Sequence, residues 1–354
     1  MDLRGLGSTR RDVLQRGAAL AALTVGGGLL DACAPTQQAA PSASLGPPET
    51  KTVRINQIAP CDPWYWYCEP FLREEGFTDL SFGTGSFNTG DADFGVGYGN
   101  YVAGIIDAGA PLVALAGLHT GCIMVFARRG IDTVADLRGK TIGINTKMVT
   151  VLGKSVLGLD YGFLVSLLAH IGMQPSDANF VEVGENANVN TPFIDGKVDA
   201  IFTGGTGGPL LLANPKNPGH VILDSSLDKP WSQNYCCLLL TTRDWYTAHP
   251  IAAKRVTRAI VRAIDEAKKD RRAAAKAAID KGTYKANPAI TEQVIYDVIK
   301  DESFDWREFD PEETMRFFAL RLSDAKLVKK SPQQIIADGA DFTYFRQLRK
   351  DLRA

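Results

Sequence analysis

The stretch Ile131-Asp132-Thr133-Val134-Ala135-Asp136-Leu137-Arg138-Gly139-Lys140-Thr141-Ile142-Gly143-Ile144 decides how the chain is organised. Thr133 to Leu137 reads as a single helical turn, and Lys140 to Asn145 as the strand that opens a second α/β unit. Toward the C-terminus, Phe163, Leu164, Leu167, Leu168 and Ile171 mark one helix face. Asn179 to Val183 reads as a strand, Pro192 to Asp195 as a helical turn and Ala200 to Phe202 as another strand. Toward the N-terminus the same logic appears first. Val53 to Ile58 alternates as a half-buried strand, the loop Ala59-Pro60-Cys61-Asp62-Pro63 punctuates it, and a helix runs to Glu75. Brief apolar runs at Leu80 to Phe82, Ala92 to Val96, Leu112 to Ala116 and Cys122 to Ala127 follow, with a helix from Tyr98 to Ala108 among them. Strands alternating with helices argue for parallel α/β sheets.

Val221 to Leu223 and Cys236 to Thr241 carry the chain back, and the remainder is helical. Ile251, Val256, Ile260 and Ile264 share a stripe, while Asp310-Pro311-Glu312-Glu313 and Ser331-Pro332-Gln333-Gln334 carry helix caps. These C-terminal helices are expected to pack on the first lobe. The chain order is thus lobe one, lobe two, lobe one, with crossings near Gly121 and Ser232. Two crossings make a hinge, and the cleft between lobes is a natural ligand site.

The N-terminal segment reads differently. Ser8-Thr9-Arg10-Arg11-Asp12-Val13-Leu14 precedes a weakly apolar stretch, Gly17 to Leu30, in the layout of a twin-arginine export signal. Leu30-Asp31-Ala32-Cys33 has the form of a lipobox with an atypical Asp31, so acylation of Cys33 and ordinary cleavage between Ala32 and Ala34 are both open. Thr36 to Glu49 is too poor in apolar and charged residues to bury a core, and reads as a tether. The expected division is a signal over 1–33, a tether over 34–51, lobe one over 52–127, lobe two over 128–230, and the return crossing with C-terminal helices over 231–354.

With 39 basic and 40 acidic side chains in 354 residues the chain is near neutral, which removes a global electrostatic argument for nucleic acid. The basic residues from Lys254 to Lys285 fall at helical spacing and read as a solvated face, with docking to an anionic or protein partner as the alternative. Six cysteines include Cys33. Cys61 and Cys68 flank an aromatic loop and form a candidate disulfide, although the connectivity stays open. A metal site is not expected, because no C-x-x-C and no nearby His pair supports one.

Several segments resemble the NMT1/THI5-like family, the sulfonate/nitrate/taurine type of ABC-transporter substrate-binding protein. The resemblance spans about Val53 to Tyr246. Asp136-Leu137-Arg138-Gly139-Lys140-Thr141-Ile142-Gly143 matches the family's D-L-x-G-K-x-I-G entry into lobe two. Asp91 to Val96, Asp195 to Ala200 and Tyr246 to Pro250 match three weaker pieces in the same order. This implies a type II periplasmic-binding-protein fold, with two α/β lobes on a two-crossing hinge. It also implies a protein that works in the periplasm or at the extracytoplasmic membrane surface and delivers a small molecule to a permease with a cytoplasmic ATPase. A monomer without a cofactor is expected. One departure is the segment Gly83 to Asp91, which is a short loop where the family has a helix and so opens or reshapes that side of the pocket.

Ligands of open α/β sheets sit beyond the carboxyl ends of the strands. The loops there nominate Asp62, Trp64 and Trp66 as a stacking wall, with partial packing of those aromatics in the core as the alternative. They also nominate Tyr98, His119 and Thr120, then Asn145, Thr146 and Lys147, then Thr203 and Thr206 in a Gly-rich run, and finally Trp231 and Asn234 at the return crossing. Lys147 is the firm cation among these loops, while Asp62, Asp93 and Asp160 disfavour an anion. A neutral or cationic heteroaromatic, pyrimidine-like, therefore fits somewhat better than a sulfonate or nitrate. Neither H-E-x-x-H nor a G-x-S-x-G elbow is present. His119 lies near Cys122, so the alternatives are an exported enzyme using His119 and a cleft cysteine, or a ligand-sensing receptor subunit. Cys236-Cys237 reads as core packing.

Overall fold

The computed structural model describes residues 45–56, 61–83, 85–184 and 188–352. The signal segment 1–33 with Cys33, and the first part of the expected tether, lie outside these residues.

The first lobe opens with β1 (Thr52–Ile55), α1 (Trp64–Glu74), β2 (Asp79–Phe82), β3 (Phe94–Tyr98), α2 (Gly99–Asp107) and β4 (Leu112–Thr120). The second contains β5 (Ile123–Arg128), a 3₁₀ turn at Val134–Leu137, β6 (Thr141–Ile144), a hairpin of β7 (Met148–Val151) and β8 (Lys154–Leu157), then α3 (Leu159–His170). It continues through β9 (Asn179–Glu182), α4 (Asn190–Ile194), β10 (Ala200–Gly204), α5 (Gly207–Leu212) and β11 (Gly219–Asp224). The chain returns in β12 (Tyr235–Thr242) and ends in α6 (Arg243–Ala248), α7 (Pro250–Lys269), α8 (Arg271–Asp280), α9 (Glu292–Ile299), α10 (Pro311–Asp324), α11 (Pro332–Gly339) and α12 (Thr343–Asp351).

Two five-stranded sheets result, ordered β2-β1-β3-β12-β4 and β11-β5-β10-β6-β9. Both are mixed rather than wholly parallel. β12 runs antiparallel to β3 and β4, and β5 antiparallel to β10 and β11. The crossings require this. β3 and β4 end at the junction between the sheets, whereas β12 and β5 begin there, so each enters its sheet running the opposite way. All nine residues of β4 are buried, as a strand covered on both faces demands.

The C-terminal helices do not confine themselves to lobe one. α7 packs on α1 and β4, but α10 touches both α2 and α3, and α9 lies against α5. An aromatic group explains the bridging. The Trp231 ring lies 5.2 Å from Phe163 of α3 and 5.2 Å from Phe317 of α10, with His170 at 5.7 Å. Burying these large rings together stabilises contact across the lobes more than a hydrated gap would.

The tether also ends earlier than expected. Glu49 accepts hydrogen bonds from the backbone N–H groups of Ile251 and Ala252, both at 2.8 Å. His249, the residue before α7, offers no side-chain cap, so Glu49 satisfies exposed donors at this helix start from 200 residues away. The carbonyls of Leu45 and Gly46 accept from Arg255. Likewise the basic face of α7 is not simply solvated. Arg255 and Arg258 converge on buried Glu75 at 3.0 and 2.6 Å, because a carboxylate in that position needs paired charge.

Candidate functional site

Six polar side chains from separate parts of the chain meet where the two sheets join. Cys61 and Asp62 precede α1, His119 ends β4, Cys122 lies in the first crossing, Cys237 is on β12, and Glu302 follows α9. A donor atom from each of Cys61, Asp62, His119 and Cys237 lies within 4.8 Å of the other three, and Cys61, Cys122 and Glu302 form a second such group. Cys61, Asp62 and Cys237 are fully buried, and His119 and Glu302 are each 1% exposed.

Local geometry places them. Gly121 and Cys122 adopt φ of +92° and +75°, and a Cβ on Gly121 would lie 2.6 Å from the Ser226 hydroxyl. A left-handed non-glycine residue costs roughly 1–3 kcal/mol and persists only when surroundings over-determine it. Here Ser225 exchanges hydrogen bonds with Ile123, tying the start of β5 to the end of β11, and the N–H of Thr120 donates to the Ser303 carbonyl. The Trp64 indole N–H donates to Asp62 Oδ1 at 2.9 Å.

His119 sits between two carboxylates. Its Nε2 is 3.4 Å from Asp62 Oδ1, and its Nδ1 is 3.6 Å from Glu302 Oε2 and 3.2 Å from the Thr120 carbonyl oxygen. Burial opposes a charged imidazole, but Glu302 and then Asp62 outweigh it and hold His119 well above its usual range. Burial likewise lifts the Glu302 carboxyl well above the ordinary carboxylate range. The Cys122 thiol is pushed up to about 11, chiefly by burial. A thiol held protonated is a poor nucleophile.

A second feature is open to solvent. Tyr65, Trp66, Glu69, Phe82, Gly83, Lys281 and Thr283 line a groove of about 490 Å³ beside α1 and the carboxyl end of β2. The Trp66 indole N–H donates to the Thr283 hydroxyl at 3.1 Å, and the Tyr65 and Phe82 rings meet edge-on at 5.6 Å. These bonds fix an aromatic wall with one cation and one carboxylate at its rim.

The family model described as NMT1/THI5 like matches residues 83–274, more than half of the sequence. The chain belongs to this family. Solved structures share the fold at low identity. A protein of Bordetella bronchiseptica RB50 is 22% identical, the match covering 87% of this chain and 99% of that one with a TM-score of 0.60. The alkanesulfonate-binding protein SsuA of Xanthomonas axonopodis pv. citri, bound to MOPS, is 15% identical over 83% and 99% of the chains, at 0.63. The periplasmic nitrate-binding protein NrtA of Synechocystis PCC 6803 is 14% identical over 87% and 90%, also at 0.63. A search of curated proteins finds no match. The fold is that of the periplasmic binding proteins.

Within this NMT1/THI5-like fold the residues nominated from sequence are dispersed. Asp62 and His119 enter the buried cluster, and Tyr98 adjoins it, its hydroxyl 3.8 Å from the Cys122 sulfur. Thr120 is buried at the end of β4. Trp64 is spent on Asp62 and the core, and Trp66 lines the open groove. Trp231 belongs to the bridging aromatic group, and Asn234 donates to the Pro230 carbonyl in the return turn. Asn145, Thr146 and Lys147 serve a local knot. Asn145 donates to the Gly184 carbonyl, Thr146 to that of Met148, and the Lys147 N–H to Glu182, while the Lys147 ammonium lies over the Tyr161 ring. Thr203 donates to the Met124 carbonyl, and Thr206 precedes α5.

Two carboxylates invoked against an anion are already engaged. Asp93 pairs with Arg54, and Asp160 accepts the backbone N–H groups of Asn145 and Tyr161. The short segment after Gly83 is held against the second lobe. The Asn88 side chain binds the Thr150 carbonyl and the Leu152 N–H, clasping it to the β7–β8 hairpin. The candidate disulfide is not formed, since Cys61 and Cys68 are both free. The Cys68 thiol turns back to the Tyr65 carbonyl oxygen, as the helical turn between them directs it, while Cys61 faces the cluster. This gathering of donors was not anticipated from the sequence, in which no metal site was expected. Spacing rules search neighbouring residues, whereas these donors come together only across crossings. Cys61, Cys237 and Glu302 were missed for that reason. Tyr65 and Lys281 in the groove carried no local signal beyond the aromatic run before Cys68.

Proposed function

We propose that this chain is the extracytoplasmic substrate-binding component of an ABC importer, and that its ligand is a small, flat aromatic or heteroaromatic molecule held against Trp66 and Tyr65. The observation that carries the ligand class is the groove of about 490 Å³ at the carboxyl end of β2, of ordinary size for a small-molecule site and walled by Trp66, Tyr65 and Phe82. Lys281 and Glu69 at its rim suit a ligand with both a polar acceptor and a donor. Export through the segment 1–33, with acylation at Cys33, would hold the protein beside a permease and its ATPase. Among the described residues no helix is long and apolar enough to cross a membrane.

Thermal-shift and calorimetric screening of the purified chain against pyrimidines, aromatic acids, aliphatic sulfonates and nitrate tests the ligand class. Stabilisation by flat ring compounds, weakened at least tenfold by Lys281→Ala or Trp66→Leu, is expected. Binding only of aliphatic sulfonate or nitrate rejects the class while leaving the importer role, and consumption of the ligand rejects the binding-protein reading. Mass spectrometry of the mature N-terminus reads the state of Cys33.

A further inference from the structure

The cluster at the junction of the sheets contains donors in excess of hydrogen bonds. Among the described residues, His119 Nε2 and both carboxylate oxygens of Glu302 are buried without a hydrogen-bond partner. Burying such groups without a partner is unfavourable, more so for charged ones. Cys61, Cys237 and Asp62 present further electron-pair donors to the same small volume.

We propose that Cys61, Asp62, His119 and Cys237 bind one zinc ion, which ties the loop before α1 to the paired strands β4 and β12 at the edge of lobe one. The donor set is the argument. Two sulfurs, one imidazole and one carboxylate suit a soft, tetrahedral divalent ion and not calcium or magnesium, which take oxygen ligands. Their mutual separations of at most 4.8 Å match ligands gathered around one centre. The orientation of His119 points the same way. Its Nδ1 faces the Thr120 carbonyl oxygen and Glu302, the arrangement that fixes the Nδ1–H tautomer and leaves the Nε2 lone pair for a metal. Nε2 is the atom without a partner, and it is the one beside Asp62. The Trp64 N–H on Asp62 Oδ1 orients the carboxylate in turn.

Cys122, whose sulfur belongs to the group shared with Cys61 and Glu302, lines a small cavity together with Asp224, Asp297 and Asp301. Three carboxylates there raise the local concentration of cations. All four ligands lie in lobe one, where His119 and Cys237 are partners in the β4–β12 register, so a bound ion joins the loop before α1 to these two strands. The ion would sit apart from the aromatic groove, whose lining includes none of the four ligands.

The test uses the full chain purified under reducing conditions, stripped with chelator and reloaded with Zn2+ or Co2+. One equivalent of zinc, a rise in melting temperature on reloading, and a cobalt spectrum of tetrahedral thiolate coordination are expected. X-ray absorption on the wild-type zinc form is expected to give two sulfur and two nitrogen or oxygen neighbours. Cys237→Ser should lower the sulfur-to-cobalt charge-transfer intensity by about half, and His119→Gln should weaken zinc at least tenfold, whereas Cys68→Ser changes neither. Absence of zinc uptake by the reduced wild-type chain, an all-nitrogen-and-oxygen shell, or a Cys61–Cys237 disulfide that persists under reducing conditions overturns the proposal. The wild-type absorption measurement decides the matter even if the variants do not fold.

Discussion

His119 Nδ1 lies 3.6 Å from Glu302 Oε2, between residues 183 positions apart, and both side chains are sealed from solvent. The pair explains why the end of β4 and the segment after α9 fold as one region. Folding brings a proton site and a carboxylate into a medium where their attraction is strong and hydration is lost.

With chelator present, this geometry sets a pH dependence. Glu302 and Asp62 raise His119 above its usual 6.5 despite burial, so the folded chain holds the proton more tightly than the unfolded chain. The stabilisation is full below 6.5 and is lost as pH rises through the raised value. The raised Glu302 acts with the same sign. Cys122 adds a second fall, from 9.0 toward about 11. Urea midpoints measured from about pH 6 to about pH 10 should decline steadily, and His119→Gln should flatten the first decline. A midpoint that climbs with pH over that window is incompatible with this pairing.

Glu49→Gln should destabilise the chain by about 1 kcal/mol, because the start of α7 loses a carboxylate that accepts from Ile251 and Ala252. Amide hydrogen exchange at those two residues should accelerate, with little change in the β12 core. Unaltered protection there would mean that Glu49 does not hold the helix start.

Glu75→Ala leaves Arg255 and Arg258 facing a partly buried space without their carboxylate. A loss of roughly 3 kcal/mol is expected, larger than for a surface ion pair. Lys276→Ala, which breaks an exposed pair with Asp280, serves as the comparison and should leave the urea midpoint nearly unchanged.

Gly117→Ala should be more damaging than most surface changes on the chain. A Cβ there would approach the Tyr235 ring to 2.4 Å, and that ring is anchored by its hydroxyl to the carbonyls of Trp306 and Phe309. The ring cannot move aside cheaply, so a loss of about 1–3 kcal/mol is expected from overpacking. Gly117→Ala combined with Tyr235→Leu should recover part of the stability lost with Tyr235→Leu alone.

Much of the architecture was legible from local sequence, because the cause of each element is local. The alternation at Val53 to Ile55, the punctuated loop before Trp64, and the caps at Asp310 and Ser331 each act within a few residues. The β7–β8 hairpin was not foreseen. Its residues Met148 to Leu157 carry no turn pair beyond Leu152-Gly153, and the loop was read only as a ligand contact. The direction of β12 and β5 also lay outside local reach, since it follows from where the chain re-enters a sheet.

By itself the sequence determined an α/β chain with two crossings, a family, and a run of aromatic residues after Pro63, because period, capping and motif order are properties of neighbours. Tertiary structure alone decided which of those aromatics faces a groove. Both indoles are buried, Trp64 bonding Asp62 in the core and Trp66 reaching the groove wall through Thr283, 217 positions away. Tertiary structure also assembled Cys61, His119, Cys237 and Glu302. Donors that meet at a crossing leave no spacing in sequence, and only the folding of both sheets brings them within 4.8 Å in two overlapping groups.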